Sequence, residues 1–322
     1  MNVLVWHVHG SWLTAFVQGA HRYLIPVVPD RGPEGRGRAQ TWTWPSNAIE
    51  VAPTALHDCD VDVVILQRPE DELLATAWLG RRPGRDLPAI WMEHNAPQGR
   101  INELRHPAAD RADLHLVHVT HTNNLLWDSG TTPSTVIEHG IVDPGYCYEG
   151  GLARLAAAIN EPGRRARVTG SDLLVPFSKQ APIDLFGIGT AAFAEELRRE
   201  EADVTAHEDL PQHALHRAMA ERRVYLHPIR WTSLGLSLIE AMHLGMPVVA
   251  LAMTDVYAAV PPQAGVVSND LRILNRAIRD FVAEPELARL TGKAARVFAL
   301  EHYGLDRFLS AWDNVLEEVM HR

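Results

Sequence analysis

The chain has 322 residues, 46% of them hydrophobic and 22% charged, with a formal net charge of -10. That balance supports folded cores and speaks against both disorder and a nucleic-acid partner. At this length one hydrophobic core has usually stopped growing, so two domains of roughly 150 residues with a cleft between them are expected.

Residues 2–8, NVLVWHV, form an apolar run closed by His9-Gly10-Ser11, the pattern of a first buried strand and its turn. Further strands are predicted at 23–28, 61–66, 89–93, 114–120 and 134–138, mostly as continuous apolar runs of parallel-sheet type, with helices over 72–79 and 121–128. Residues 29–38, rich in Gly, Pro and Arg, are expected to be a surface connector and mobile. Turn-rich composition after Gly140 places a boundary near residue 150, dividing the chain into 1–150 and 151–322. In the second part, strands at 153–159, 183–186, 204–206, 224–227 and 247–251 alternate with helices at 170–177, 192–199, 212–221 and 235–244, and long helices run to the C-terminus, the last of them expected to pack back toward the N-terminal domain. The pattern is α/β, two Rossmann-like domains with parallel sheets.

Cys59 and Cys147 make neither a disulfide framework nor a CxxC pair. With no secretory n-region and no apolar run of about 18 residues, a cytoplasmic location is expected. No Lys/Arg-rich face supports a membrane-surface helix, and peripheral membrane contact is left open. Oligomeric state is open as well. Among the 17 histidines, His118 with His121 and His213 with His216 lie three apart. Neither pair has a carboxylate at zinc spacing, so no metal is expected.

Residues 230–251, RWTSLGLSLIEAMHLGMPVVAL, carry the chemistry. A polar loop leads through Gly235 into a helix bearing Glu240, capped by Gly245 and followed by Pro247 and a Val-Val-Ala strand. Such a helix start offers unpaired amides and a positive dipole end from Ser233 through Leu234 and Gly235 to Leu236, suited to a phosphate. Gly235 permits close approach of a ligand. Glu240 sits among Leu238, Ile239, Ala241 and Met242, where a solvated carboxylate is out of place, and it can accept the hydroxyls of a ribose.

This segment resembles the signature of GT-B glycosyltransferases of the fourth family, glycosyl transferases group 1, which reads Glu-Gly-Phe-Gly-Leu, Glu-Ala-Met and Gly-x-Pro-Val-Val. Leu234-Gly235-Leu236, Glu240-Ala241-Met242 and Gly245-Met246-Pro247-Val248-Val249 match it, while Thr232 stands where the family has its first glutamate. The resemblance implies a GT-B fold with parallel sheets facing across a cleft, and a nucleotide-sugar donor as substrate with no cofactor. It also implies transfer with retention, by front-face attack assisted by the donor phosphate.

By the same register Glu240 holds the donor ribose, and Thr232 occupies the place of the acid that contacts the transferred sugar. Residues 136–143, VIEHGIVD, resemble the family's turn before the linker, with His139 for Asn. WMEHN, residues 91–95, is similar to the strand ending in His-Asp, which makes His94 the candidate active-site histidine. The turn at Gly10 is similar in place to the family's first glycine-rich loop by the donor phosphates, with Ser11 and Trp12 on the acceptor side. Residues 160–170, NEPGRRARVTG, match the stretch that supplies cations to the diphosphate, with Thr169 in place of Lys. Arg164, Arg165 and Arg167 are its candidates, since a guanidinium can fork onto two phosphate oxygens.

The acceptor is open among a sugar, a lipid-linked sugar and a natural product. Base recognition is expected mostly through the backbone, around residues 208–211. A nicotinamide oxidoreductase fits poorly, since GxGxxG is missing after the first strand and Gly187-Ile188-Gly189 lacks the third glycine. A catalytically silent homologue that binds a sugar nucleotide or a partner stays open because of Thr232.

Overall fold

The computed structural model describes residues 1–321. The chain divides into two compact units, one of Met1–Val142 with the C-terminal helix and one of Asp143–Gly304.

The first unit holds strands β1 (Asn2–Val5), β2 (Arg22–Pro26), β3 (Ala48–Val51), β4 (Val63–Leu66), β5 (Ala89–Glu93), β6 (His115–His118) and β7 (Ser134–Val136). They pair in parallel in the order β3-β2-β1-β4-β5-β6-β7. Helices α1 (Gly10–Phe16), α2 (Pro53–Leu56), α3 (Pro69–Leu79) and α4 (His121–Leu126) lie between them. Central strands such as Val63–Leu66 are buried at every residue, as their unbroken apolar sequence requires of strands covered on both faces. Leu4, Trp6, Val64, Leu66 and Trp91 anchor one core cluster.

The second unit repeats the plan with β8 (Leu152–Ala158), β9 (Ile183–Gly187), β10 (Val204–Glu208), β11 (Arg222–His227), β12 (Val248–Ala250) and β13 (Gly265–Val267). These strands are also parallel, in the order β10-β9-β8-β11-β12-β13. Its helices are α5 (Pro162–Arg165), α6 (Leu174–Ser178), α7 (Thr190–Arg199), α8 (Gln212–Glu221), α9 (Leu236–Leu244), α10 (Val256–Ala259), α11 (Leu271–Ala283) and α12 (Pro285–His302). The C-terminal helix α13 (Leu305–Met320) belongs to the first unit, where Trp312 packs edge-on to Trp12 (ring centroids 5.7 Å) and Phe16 (4.8 Å).

Both sheets are doubly wound. The strand order reverses between β1 and β4 in one unit and between β8 and β11 in the other. Ligands of open α/β sheets bind at such switch points, outside the carboxyl ends of the strands.

Some local expectations change. Gly10–Phe16, expected only as a turn, is helical, with Thr14 Oγ1 bonded back to the Gly10 carbonyl at 2.8 Å. The strand Ala48–Val51 had no prediction. Residues 29–38, expected to be a mobile connector, are tied to the sheet instead. Val28 N–H donates to Gly35 O and Gly37 N–H to Pro26 O (both 2.9 Å), and Trp6 Nε1–H donates to Glu34 O at 3.0 Å. Arg31 adds an ion pair to Glu50 at 2.8 Å. The expected helix at 170–177 begins as 3-10 turns and becomes α-helical at Leu174.

Candidate functional site

In the second unit, the loops after β8 and β11 meet at the switch point. The Arg230 and Trp231 amides both donate to the Val168 carbonyl, at 2.9 and 3.1 Å. Gly170 lies with φ of 71° so close to the other loop that a Cβ would stand 1.9 Å from Pro228 O. The arginine-bearing stretch and the polar loop leading into α9 therefore form one surface.

The three candidate arginines are not equivalent. Arg164 is bonded to Glu161, and Arg167 pairs with Asp172 at 2.9 Å. Arg165 is half-buried and, among the described residues, makes no ion pair; burial and the neighbouring Arg164 charge pull its pKa down. A desolvated guanidinium without a carboxylate is favourable only if an anion joins it. Thr169 is wholly buried, with its hydroxyl 2.8 Å from Ser171 and donating to Ala166 O at 3.0 Å, so it does not stand in for a cation.

Helix α9 starts at Gly235, its N-cap, where a Cβ would lie 2.7 Å from the His227 ring. Glycine is needed there by space. Ser233 and Leu234 are buried at 5% exposure each, while Thr232, Gly235 and Leu236 are half-exposed along the helix start. Glu240 is 5% exposed. Its carboxylate accepts from Gln212 Nε2 at 3.2 Å and lies 3.6 Å from His216 Nε2. Gln212 and His216, four apart on α8, share one helix face and were missed in the sequence, where only spacing for metal drew attention to His216.

The side chain of Glu208 serves the fold, which leaves the backbone of residues 208–211 as the part expected at the base. The Glu208 carboxylate caps α7, accepting from the amides of Gly189 and Ala191 (2.7 Å for the latter) and from Thr190 Oγ1 at 3.0 Å.

In the first unit, His94 follows β5 at the carboxyl end of the sheet and is 7% exposed. Its Nε2 lies 3.0 Å from Gln67 Oε1 and its ring 4.1 Å from that of His9. Burial drives the His94 pKa well below the usual imidazole value, with the neighbouring His9 and His139 acting in the same direction. Burial also lowers His9 to about 4 and His139 to about 3. All three rings are neutral at pH 7.

Two candidates from the first turn are corrected. Trp12 is 1% exposed and packed among Phe16, His94 and Trp312, so it is a core residue and not an acceptor contact. At Gly10 a Cβ would stand 2.3 Å from the Trp42 ring, so that indole, not a ligand, covers the glycine. Ser11 stays half-exposed. Arg68, next to Gln67, borders an open cavity of about 690 Å³ with Val28, Asp30, Glu34, Glu70 and Leu74. Among the described residues no group of three or more His, Cys, Asp or Glu is placed to hold a metal ion, and no helix is long and apolar enough to cross a membrane.

Residues 174–284 match the model of the family described as Glycosyl transferases group 1. The stretch contains Thr232, Glu240 and the whole of α9. The solved structure of HepE from Anabaena, in complex with UDP and glucose, superposes with a TM-score of 0.73 at 13% identity, over 99% of this chain and 100% of that one. Sucrose-phosphate synthase from Thermosynechococcus elongatus gives 0.71 at 16% identity, over 100% and 99%. A glycosyltransferase from Rickettsia africae gives 0.70 at 14%, over 99% and 98%. The fold is GT-B. No curated protein matches the sequence.

Proposed function

We propose that the protein is a glycosyltransferase that moves a sugar from a nucleotide-sugar donor to an acceptor hydroxyl with retention of configuration. The observation that carries this reading is a buried, sparsely partnered carboxylate, Glu240, on a helix whose start shares the β8/β11 switch point with Arg165, which makes no ion pair among the described residues. A nucleoside diphosphate needs these groups: an acceptor for ribose hydroxyls, a cation and free amides for the diphosphate. The UDP, UDP-glucose and glucose bound in HepE structures support testing a uridine donor first.

In this reading Glu240 takes the ribose, Arg165 and the Gly235 and Leu236 amides take the diphosphate, and Thr232 and Ser233 lie on the sugar side. The first unit supplies His94 and, at Ser11, the acceptor side. The acceptor hydroxyl attacks the anomeric carbon on the face from which the diphosphate leaves, and a departing phosphate oxygen takes its proton. Arg165 and the amides stabilise the charge that develops on that phosphate. No metal is required for this.

Incubation with UDP, GDP, ADP and dTDP sugars tests the proposal, with nucleoside diphosphate release and the anomeric configuration of the product followed by NMR. Release from one donor, with or without acceptor, and a product of the donor's own anomeric configuration are expected. No release from any of them contradicts transfer, and an inverted product contradicts retention.

A further inference from the structure

Helix α8 packs on α9 and opens with Gln212, directly after the stretch expected at the base. Gln212 Nε2 donates to Glu240 Oε1 at 3.2 Å. Turning that amide over would set its oxygen against a carboxylate, so the charge of Glu240 dictates which end faces it. One turn further along α8, the buried His216 brings its Nε2 to 3.6 Å from Glu240 Oε2, and that nitrogen has no hydrogen-bond partner among the described residues. The separation is too long for a hydrogen bond, but it places the imidazole against the second oxygen. Each carboxylate oxygen thus has one neighbour from the same face of α8.

The other polar groups around Glu240 are committed elsewhere. The Tyr225 hydroxyl, which feels the Glu240 charge, pairs with Ser237 Oγ at 2.9 Å. His243 Nδ1 bonds to the Ile239 carbonyl at 2.9 Å. Gln212 is therefore the one side chain among the described residues that hydrogen-bonds the Glu240 carboxylate. A carboxylate has about four acceptor sites, so lone pairs remain on both oxygens and match two adjacent hydroxyls, one on each.

We propose that Gln212 is a positioning residue for Glu240. With His216 against the other oxygen, it sets the carboxylate to receive the two neighbouring hydroxyls of a ribose, so that the site takes ribonucleoside diphosphates over their 2′-deoxy counterparts. The role rests on the reading of Glu240 as part of a nucleotide-sugar site. A carboxylate already held in the orientation it needs loses less freedom when the ligand arrives. A ligand without the 2′-hydroxyl leaves one buried oxygen short of a partner, and a site built for a hydroxyl rejects the analogue that lacks it.

Calorimetry on the full chain with UDP, GDP and ADP, each beside its 2′-deoxy form, tests this. For the nucleotide that binds best, the wild-type protein is expected to prefer the ribose form by about 10- to 100-fold. Gln212→Leu should weaken the ribose form by about tenfold and the 2′-deoxy form by less than about threefold, so the preference shrinks. In a Glu240→Ala background the same change should matter by less than about twofold, because both residues act through one bond. A general defect of the fold would instead weaken both nucleotides alike and add to the effect of Glu240→Ala.

Equal losses for the two nucleotides, additive losses in the double variant, or a wild-type protein indifferent to the 2′-hydroxyl each overturn the proposal. If Gln212→Leu does not fold, Gln212→Glu, of the same size, decides. A second carboxylate facing Glu240 should erode the preference for ribose, and an unchanged preference overturns the proposal. Failure of every nucleotide to bind the wild-type protein removes the donor-site reading together with this role, whereas binding with additive losses removes this role alone.

Discussion

Glu240 has lost nearly all its water and received little in exchange. A carboxylate can accept about four hydrogen bonds. Here one amide reaches it at 3.2 Å and an imidazole stands off at 3.6 Å. Two vicinal hydroxyls of a ribose would fill the deficit. The same reasoning ranks the arginines: Arg165→Ala is expected to weaken nucleoside diphosphate binding by roughly 10- to 100-fold, the loss of a charge-assisted hydrogen bond. Arg164→Ala and Arg167→Ala, which remove guanidiniums already paired on the surface, should change it less than about threefold. Calorimetric titration with UDP separates these outcomes, and equal losses in all three variants would reject the ranking. Glu240 was readable in the sequence because its neighbours in the chain are apolar all round. Its partners Gln212 and His216 were not, because nothing in the spacing of α8 says which of its faces meets α9. Trp12 was misread for a related reason: packing against Trp312, 300 residues further on, leaves no local trace.

At the scale of elements, the site depends on where α9 is seated. Its C-cap Gly245 has φ of 89°, the left-handed conformation that favours glycine, and α12 approaches so closely that a Cβ on Gly292 would lie 1.9 Å from Gly245 O. Gly292→Ala must push the two helices apart, and overpacking of this kind costs about 1 to 3 kcal/mol. The expected result is a lower melting temperature with weakened nucleotide binding. A variant as stable as wild type would show that α12 gives way freely. Start and stop signals made α9 legible, with Gly235 before it and Gly245-Met246-Pro247 after it. The short α1 and β3 were hidden: a helix of seven residues carries too few periods to separate from a turn, and Glu50 interrupts the half-buried β3, whereas the equally short β4 is apolar throughout. The order of residues 29–38 was equally hidden, since it rests on bonds to Trp6, Pro26 and Glu50.

For the whole molecule, the two doubly wound sheets were legible as a succession of apolar runs, and the strand order came only with the structure. A property of the molecule as a whole follows from its buried histidines. Burial lowers His118 to about 4, with the His106 charge adding to it, and lowers His227 to about 4 and His139 to about 3. The unfolded chain binds these protons near pH 6.5, whereas the folded protein refuses them until the pH is far lower. Stability is therefore full above about pH 6.5 and falls as the pH drops towards 4, each of these histidines costing on the order of 2 kcal/mol by pH 5. A melting temperature that drops steeply between pH 7 and pH 5 is expected, and a flat profile would contradict it. Asp184 works against acid in the same sense. Burial alone would raise its pKa, but hydrogen bonds from Arg154 and Arg222 outweigh this and hold it below the usual carboxylate range, so its contribution is lost only as the pH falls through that depressed value. Asp184→Asn, which leaves the buried Arg222 guanidinium with Glu221 as its remaining carboxylate partner, should cost about 1 to 3 kcal/mol in chemical denaturation. A loss below about 1 kcal/mol, the size of a surface pair, would mean that Glu221 by itself suffices for Arg222.

The most direct test of the account is the melting temperature of the wild-type and Glu240→Ala proteins with UDP, GDP, ADP and dTDP sugars, since a ligand that binds only the folded state raises it. At least one nucleotide sugar should stabilise the wild-type chain, and Glu240→Ala should lose most of that shift while remaining folded. An equal shift in both proteins, or none from any donor, would contradict the assignment of Glu240 to a nucleotide-sugar site.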